Sequence, residues 1–379
     1  MGTLLRCLIG NILLGLTLFP LNSALAQQTI LTDYTGSITK FDPEFDGIGP
    51  KVYLLPHPPS KEALIDSAFL KKESVGLNAQ DALLKMYFLS GLKGTTSSLG
   101  SWTSLPKLVG KLQSTEGWLL QEIERVIPLQ LPGYLADLQN LLASEYARLG
   151  LVELASPLFE TAWDTKQSLK QYGAAANIRF NLASMYAYNG LWTIAEKHFL
   201  QNYQATRQHG NATEQNFAKM HLAYSRAVQG KYEEAEQSLI SEVLPAFKRL
   251  NNDAGRIQGY ITLASIYRLQ NRFPEVQWFL LQAKEIVDQK RLTDQLPDIL
   301  FHLADAKRLS GNQTVAINEY LWAHELAEKK HLVAMQFAIQ DALGSIYHAS
   351  GNYEEAARAL YRYDALLDQL LSEDYLVAP

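Results

Sequence analysis

Two stretches, Gly230–Leu239 (GKYEEAEQSL) and Gly351–Leu360 (GNYEEAARAL), carry the same Gly-x-Tyr-Glu-Glu-Ala box 121 residues apart. Paired carboxylates suggest acid–base chemistry. Adjacent residues on a helix do not face one another, however, and acids in a first turn complement the unpaired N–H groups and the dipole there. The pair therefore reads as the start of a helix. Asp42-Pro43-Glu44-Phe45-Asp46-Gly47 imitates the opening of a calcium loop, but Tyr53 stands where the closing bidentate Glu belongs. His221 and His302 lie too far apart in sequence register to share an ion, and no His-x-x-x-His, Gly-rich phosphate loop or Gly-x-Ser-x-Gly elbow occurs. The one cysteine, Cys7, lies in the N-terminal apolar stretch, which leaves the rest without disulfide, thiolate ligand or thiol nucleophile. No catalytic, metal or cofactor-binding residue is expected.

The 121-residue interval is about three times forty, and the chain has further copies at that spacing. Leu142-Ala143, Leu182-Ala183, Leu222-Ala223, Leu263-Ala264, Leu303-Ala304 and Leu343-Gly344 step by 40, 40, 41, 40 and 40 residues. Tyr146, Tyr186, Tyr267 and Tyr347 follow in four copies. A turn residue comes next in all six (Gly150, Gly190, Gly230, Asn271, Gly311, Gly351), then Ala155, Ala195, Ala235, Val276, Ala316 and Ala356. A fixed period of this length is the signature of stacked supersecondary units. Apolar residues three and four apart before the turn mark one amphipathic helix, and those after it mark a second. The small residue lets the two backbones approach, and Gly or Asn ends the first helix in the left-handed conformation.

This order of residues resembles the tetratricopeptide repeat family, with a longer period than the common 34. The resemblance covers roughly Gly133–Leu371. It is carried well by Ala143, Tyr146, Gly150, Ala155, Phe159 and Ala162. The third copy has Arg226 in place of the aromatic, the fourth has Asn271 and Val276, and the fifth has Lys307. The resemblance implies an all-α fold, a right-handed superhelical α-solenoid of antiparallel helix pairs whose first helices line a concave groove. It also implies partners that are proteins or peptides. The corresponding groove positions are Asn140, Ser144 and Arg148, then Phe180, Ser184 and Tyr188, Met220 and Tyr224, Ile261 and Arg268, Phe301, Asp305 and Arg308, and Asp341 and His348. Aromatic and Arg anchors of this kind suit an extended peptide or a partner helix. Arg268 and Arg308 are the best pair for an acidic ligand group; the competing reading pairs them with Asp305. The family's carboxylate clamp lacks its cations here.

Four regions follow: a secretory leader over 1–26, an extended and partly helical arm over 27–78, a degenerate hairpin that could cap the array over 79–132, and six helix pairs over 133–379. The leader rests on Arg6, the apolar run Cys7–Phe19, Pro20 and the small residues Ala24 and Ala26 before Gln27. If uncleaved it would be the chain's one membrane attachment. Within the arm, Lys61–Lys72 reads as a helix. A net charge of −5 with no basic run argues against nucleic acid. The last helix spreads apolar residues beyond one face, so the C-terminal end is expected to be covered by Tyr375–Pro379, a second copy or a partner, with Leu366 and Leu370 at the contact. The sequence thus reads as an exported, periplasmic, non-enzymatic scaffold for protein or peptide partners. The alternatives are a periplasmic ligand detector of a signalling system and, more remotely, an α/α-toroid carbohydrate-active enzyme built on Asp137, Asp298, Asp305 and Asp341.

Overall fold

In a computed structural model of the chain, residues 59–72 and 115–376 are described. The leader, the calcium-like turn, Cys7, the arm before residue 59 and residues 73–114 of the predicted arm and hairpin lie outside them. The first helix, α1 (Lys61–Lys72), has the predicted bounds. Ser60 caps it by accepting from the Ala63 N–H at 3.1 Å, and Glu62 and Lys71/Lys72 sit at the dipole's favourable ends. Next comes α2 (Thr115–Val126), which packs on the first repeat. Its Glu116 accepts from the Tyr146 hydroxyl at 2.9 Å.

The six expected pairs follow in order. They are α3 (Pro132–Arg148) with α4 (Val152–Ser168), and α5 (Tyr172–Tyr188) with α6 (Trp192–His209). The third pair is α7 (Ala212–Val228) with α8 (Tyr232–Ser238), which continues through a π-turn into α9 (Leu244–Arg249). Then come α10 (Asp253–Leu269) with α11 (Phe273–Lys290), α12 (Leu296–Leu309) with α13 (Gln313–Lys329), and α14 (Val333–Ala349) with α15 (Tyr353–Leu376). Within the array each helix packs on its neighbours in chain order. The described residues are an all-α solenoid of antiparallel helix pairs.

Each repeat residue does what its type suggests. Gly150, Gly190, Gly230, Asn271, Gly311 and Gly351 all adopt positive φ. After each, the next N–H returns to a carbonyl five residues back, as in Leu151 to Tyr146 at 2.8 Å and Asn352 to Tyr347 at 2.9 Å. The small residues Ala143, Ala183, Ala223, Ala264 and Ala304 are buried against their partners Ala155, Ala195, Ala235, Val276 and Ala316. Phe159, Phe199, Leu239, Leu280 and Tyr320 close the same layer one turn on. The glutamate pair at Glu354-Glu355 is exposed helix-start chemistry, with both carboxylates accepting from Arg358.

At the C-terminal end Tyr375 and Leu376 continue α15 as helix, and residues 377–379 lie outside the described residues. It is α1, from the other end of the chain, that lies on α15 and α14. Leu366 and Leu370 pack beside Phe337, Tyr363 and Leu367 within the last pair.

Candidate partner-binding surface

Part of the expected groove is closed to solvent. Asn140, Met220, Phe301 and Asp305, expected to line that groove, are instead buried, as are Ser144, Ser184 and Ile261. The reason is polar as well as steric. Asn181 donates to Asn140 Oδ1 at 2.9 Å between α5 and α3, and the Ser144 hydroxyl turns back onto the Asn140 carbonyl at 2.7 Å. Asn140, Met220 and Ile261, three before the small residue, and Ser144, Ser184 and Asp305, one after it, are closed to solvent, whereas Phe180, Tyr224 and Asp341 at the same positions stay partly open.

The surface that remains open is aromatic in the middle of the array. Phe180 lies 4.9 Å from the His221 ring and Tyr224 6.0 Å from Trp192, each ring pair meeting edge to face. Phe180, Tyr188 and Tyr224 are half-buried, each packed on the core with part of its surface left to solvent. Arg148 pairs with Glu145 one turn earlier.

Further along, Arg268 and Arg308 do converge, but on a carboxylate of the chain itself. Arg268 Nε donates to one Asp305 oxygen at 2.9 Å, and Arg308 donates to the other at 2.7 Å. The Tyr320 hydroxyl approaches the second oxygen at 3.4 Å. Burial works to raise the Asp305 carboxyl, yet Arg268 and Arg308 hold it below the usual carboxylate range. Both cations are therefore engaged within the chain, and the reading that pairs them with Asp305 is the one observed.

On the last pair, Asp341 and His348 are occupied by α1. Asp66 lies 2.7 Å from His348 Nε2, Phe69 stacks on the same imidazole with centroids 4.6 Å apart, and Lys72 pairs with Asp341. Phe69 also fills the space above Gly344, where an added Cβ would meet its ring at 3.2 Å. The Lys72 ammonium stands 5.2 Å from the Tyr363 ring centroid. Burial, with Asp341 and Asp364 nearby, pushes the Tyr363 phenol up to about 12. The sequence reading placed Asp341 and His348 on a binding surface but missed Ile65, Phe69, Lys72 and Tyr363. A signal for the α1 residues was the apolar spacing Ile65, Ala68 and Phe69.

The carboxylates that a toroidal hydrolase would use do not face one another as a pair. Asp137 is buried against Lys166 at 2.8 Å, Asp298 lies 3.5 Å from His302, Asp305 holds two arginines and Asp341 holds Lys72. Among the described residues, no cluster of His, Cys, Asp or Glu has the arrangement to hold a metal ion, and no helix is long and apolar enough to cross a membrane.

This geometry defines a class: a helical-repeat array that presents side chains from successive first helices. A family model of the tetratricopeptide repeat matches residues 338–362, from α14 through the Gly351 turn into α15. No curated protein matches the chain. Among solved structures it is similar to BtubC (BKLC) from P. vanneervenii, at 19% identity and a TM-score of 0.46, covering 57% of this chain and 89% of that one. It is also similar to a Rap protein complexed with Competence and Sporulation Factor, at 16% identity and a TM-score of 0.47, covering 83% and 93%. Aspartyl phosphate phosphatase F from Bacillus subtilis matches at 12% identity and a TM-score of 0.49, covering 81% and 72%.

Proposed function

We propose that this chain is a non-enzymatic scaffold that binds protein or peptide partners through the exposed face of its first helices, after export to the bacterial periplasm. The observation that carries the binding reading is the row of half-open rings Phe180, Tyr188 and Tyr224 on consecutive first helices. Rigid aromatic side chains of this kind add contact area at low entropic cost and dominate binding energies at interfaces. The engaged state of Asp137, Asp298, Asp305 and Asp341 supports a binding role over hydrolysis. Export rests on the leader-like pattern of Arg6, the apolar run and the small residues before Gln27.

The test is affinity capture of the full chain from an export-competent bacterium, with mass spectrometry of what is retained. The parent chain recovers a defined set of envelope proteins, and a chain with Tyr188→Ala and Tyr224→Ala loses them while its circular dichroism shows it still folded at the capture temperature. Retention of a small molecule with no protein contradicts the binding reading. Recovery of the chain in the cytosol with Met1 intact contradicts export.

A further inference from the structure

The contact between α1 and the last pair has the features of a recognition event. Three residues one turn apart meet the array. Asp66 reaches His348, Phe69 sits against Gly344 and His348, and Lys72 reaches Asp341. As residue numbers rise along α1 they fall along α14, so the two helices run antiparallel. The ends carry opposite charges, and each meets its complement: the acid faces the imidazole and the ammonium faces the carboxylate. Turning the helix round would set Asp66 against Asp341, so the charges fix direction as well as position. In the middle, Gly344 supplies the space for the ring. A side chain there would press on Phe69, with Ala359 on its other flank.

The same contact is shallow. No residue of α1 is buried; Ile65, Asp66, Ala68, Phe69 and Lys72 are only partly covered. Core helices of the array each bury several side chains completely. A helix held by one ring, one ion pair and one carboxylate–imidazole contact, all partly open, is held weakly, and tethering within the chain is what raises its occupancy. Asp66 and His348 lie 282 residues apart in sequence.

We propose that the surface formed by Asp341, Gly344, His348 and Tyr363 is a docking site for an amphipathic helix of the pattern acid-x-x-aromatic-x-x-Lys. Helix α1 is its resident occupant, and a partner protein that presents the same pattern displaces it. This rests on the reading of the chain as a partner-binding scaffold, but it concerns a different face and is tested separately. Binding is helix-on-surface recognition, with an aromatic anchor between two charged contacts.

The experiment titrates a fluorescent synthetic peptide of residues 59–73 into the full chain and into Phe69→Ala. The Phe69→Ala chain, whose own helix has lost its anchor, binds the peptide at least tenfold more tightly than the parent. Adding Asp341→Lys to Phe69→Ala abolishes binding, and a peptide carrying Lys72→Glu restores it. Gly344→Ala, which narrows the space for the ring, weakens binding of the unmodified peptide. Equal binding by parent and Phe69→Ala, or indifference to the Asp341→Lys charge reversal, overturns the proposal. A parent dimer in sedimentation that Phe69→Ala converts to a monomer overturns occupancy within one chain. The titration reads the last pair alone, so loss of partner capture through Tyr188 and Tyr224 leaves its outcome unchanged.

Discussion

Asn181 and Asn140, 41 residues apart, join consecutive first helices through one amide hydrogen bond of 2.9 Å, and both side chains are sealed from solvent. A buried amide that loses its partner bears the desolvation cost of the group left behind. Asn181→Ala is expected to destabilise the chain by about 1–3 kcal/mol. Chemical denaturation checks this, and a double Asn140→Leu, Asn181→Leu chain recovers part of the loss.

Lys166 and Asp137 make a second sealed contact. The ammonium lies 2.8 Å from the carboxylate and also donates to the Gly133 carbonyl at 2.8 Å and to Gln171 at 2.9 Å. Removing one member strands a buried charge, so Asp137→Ala is expected to cost about 3–5 kcal/mol. Replacing both together, with Asp137→Leu and Lys166→Met, costs far less. Urea midpoints of the two chains separate the penalty of an unpaired charge from the worth of the pair.

Gly255 stands against a ring. A Cβ there would come within 2.5 Å of Phe247 Cδ1. Gly255 sits in the first turn of α10, where alanine gains at most about 1 kcal/mol over glycine, but overpacking of this kind costs about 1–3 kcal/mol. The clash wins, so Gly255→Ala lowers the melting temperature, and Phe247→Leu in the same chain restores part of it.

His198 is stacked on Tyr186, with centroids 5.4 Å apart, and its Nδ1 lies 3.1 Å from an Arg179 nitrogen. Burial first, and the Arg179 charge second, push the imidazole below its ordinary range. Burial pushes His324 down as well. A histidine depressed in the fold stays neutral while the unfolded chain takes up a proton, so its stability contribution is present above about pH 6.5 and is lost as pH falls below it. Melting temperatures should therefore fall between pH 7.5 and 5, and His198→Gln should flatten part of that slope.

The repeat was legible because its residues are constrained locally. A left-handed turn selects Gly150 or Asn271, and a close helix approach selects Ala143 or Ala304, so each leaves a mark at a fixed interval. The turns that join successive pairs left a weaker mark. Lys170, Asn251, Arg291 and His331 also adopt positive φ there, although only the asparagine is a residue type suited to it. The π-turn Leu239–Val243 keeps a helical apolar pattern and was invisible for that reason; Pro245, which lacks an N–H, follows it. Asn140 and Asp305 were assigned to an open groove because spacing gives the face of a helix but not the distance to the next one. The docking of α1 on α14 depends on charges at opposite ends of the sequence, and no local period encodes it.

The central claim is that partners engage the first-helix face, and site-specific photo-crosslinking in cells tests it most directly. A benzophenone amino acid at Tyr188 or Tyr224 is predicted to capture a partner protein, whereas the same group at Trp278, an exposed second-helix position on α11, captures none. Capture from Trp278 with none from Tyr188 or Tyr224 would contradict the account.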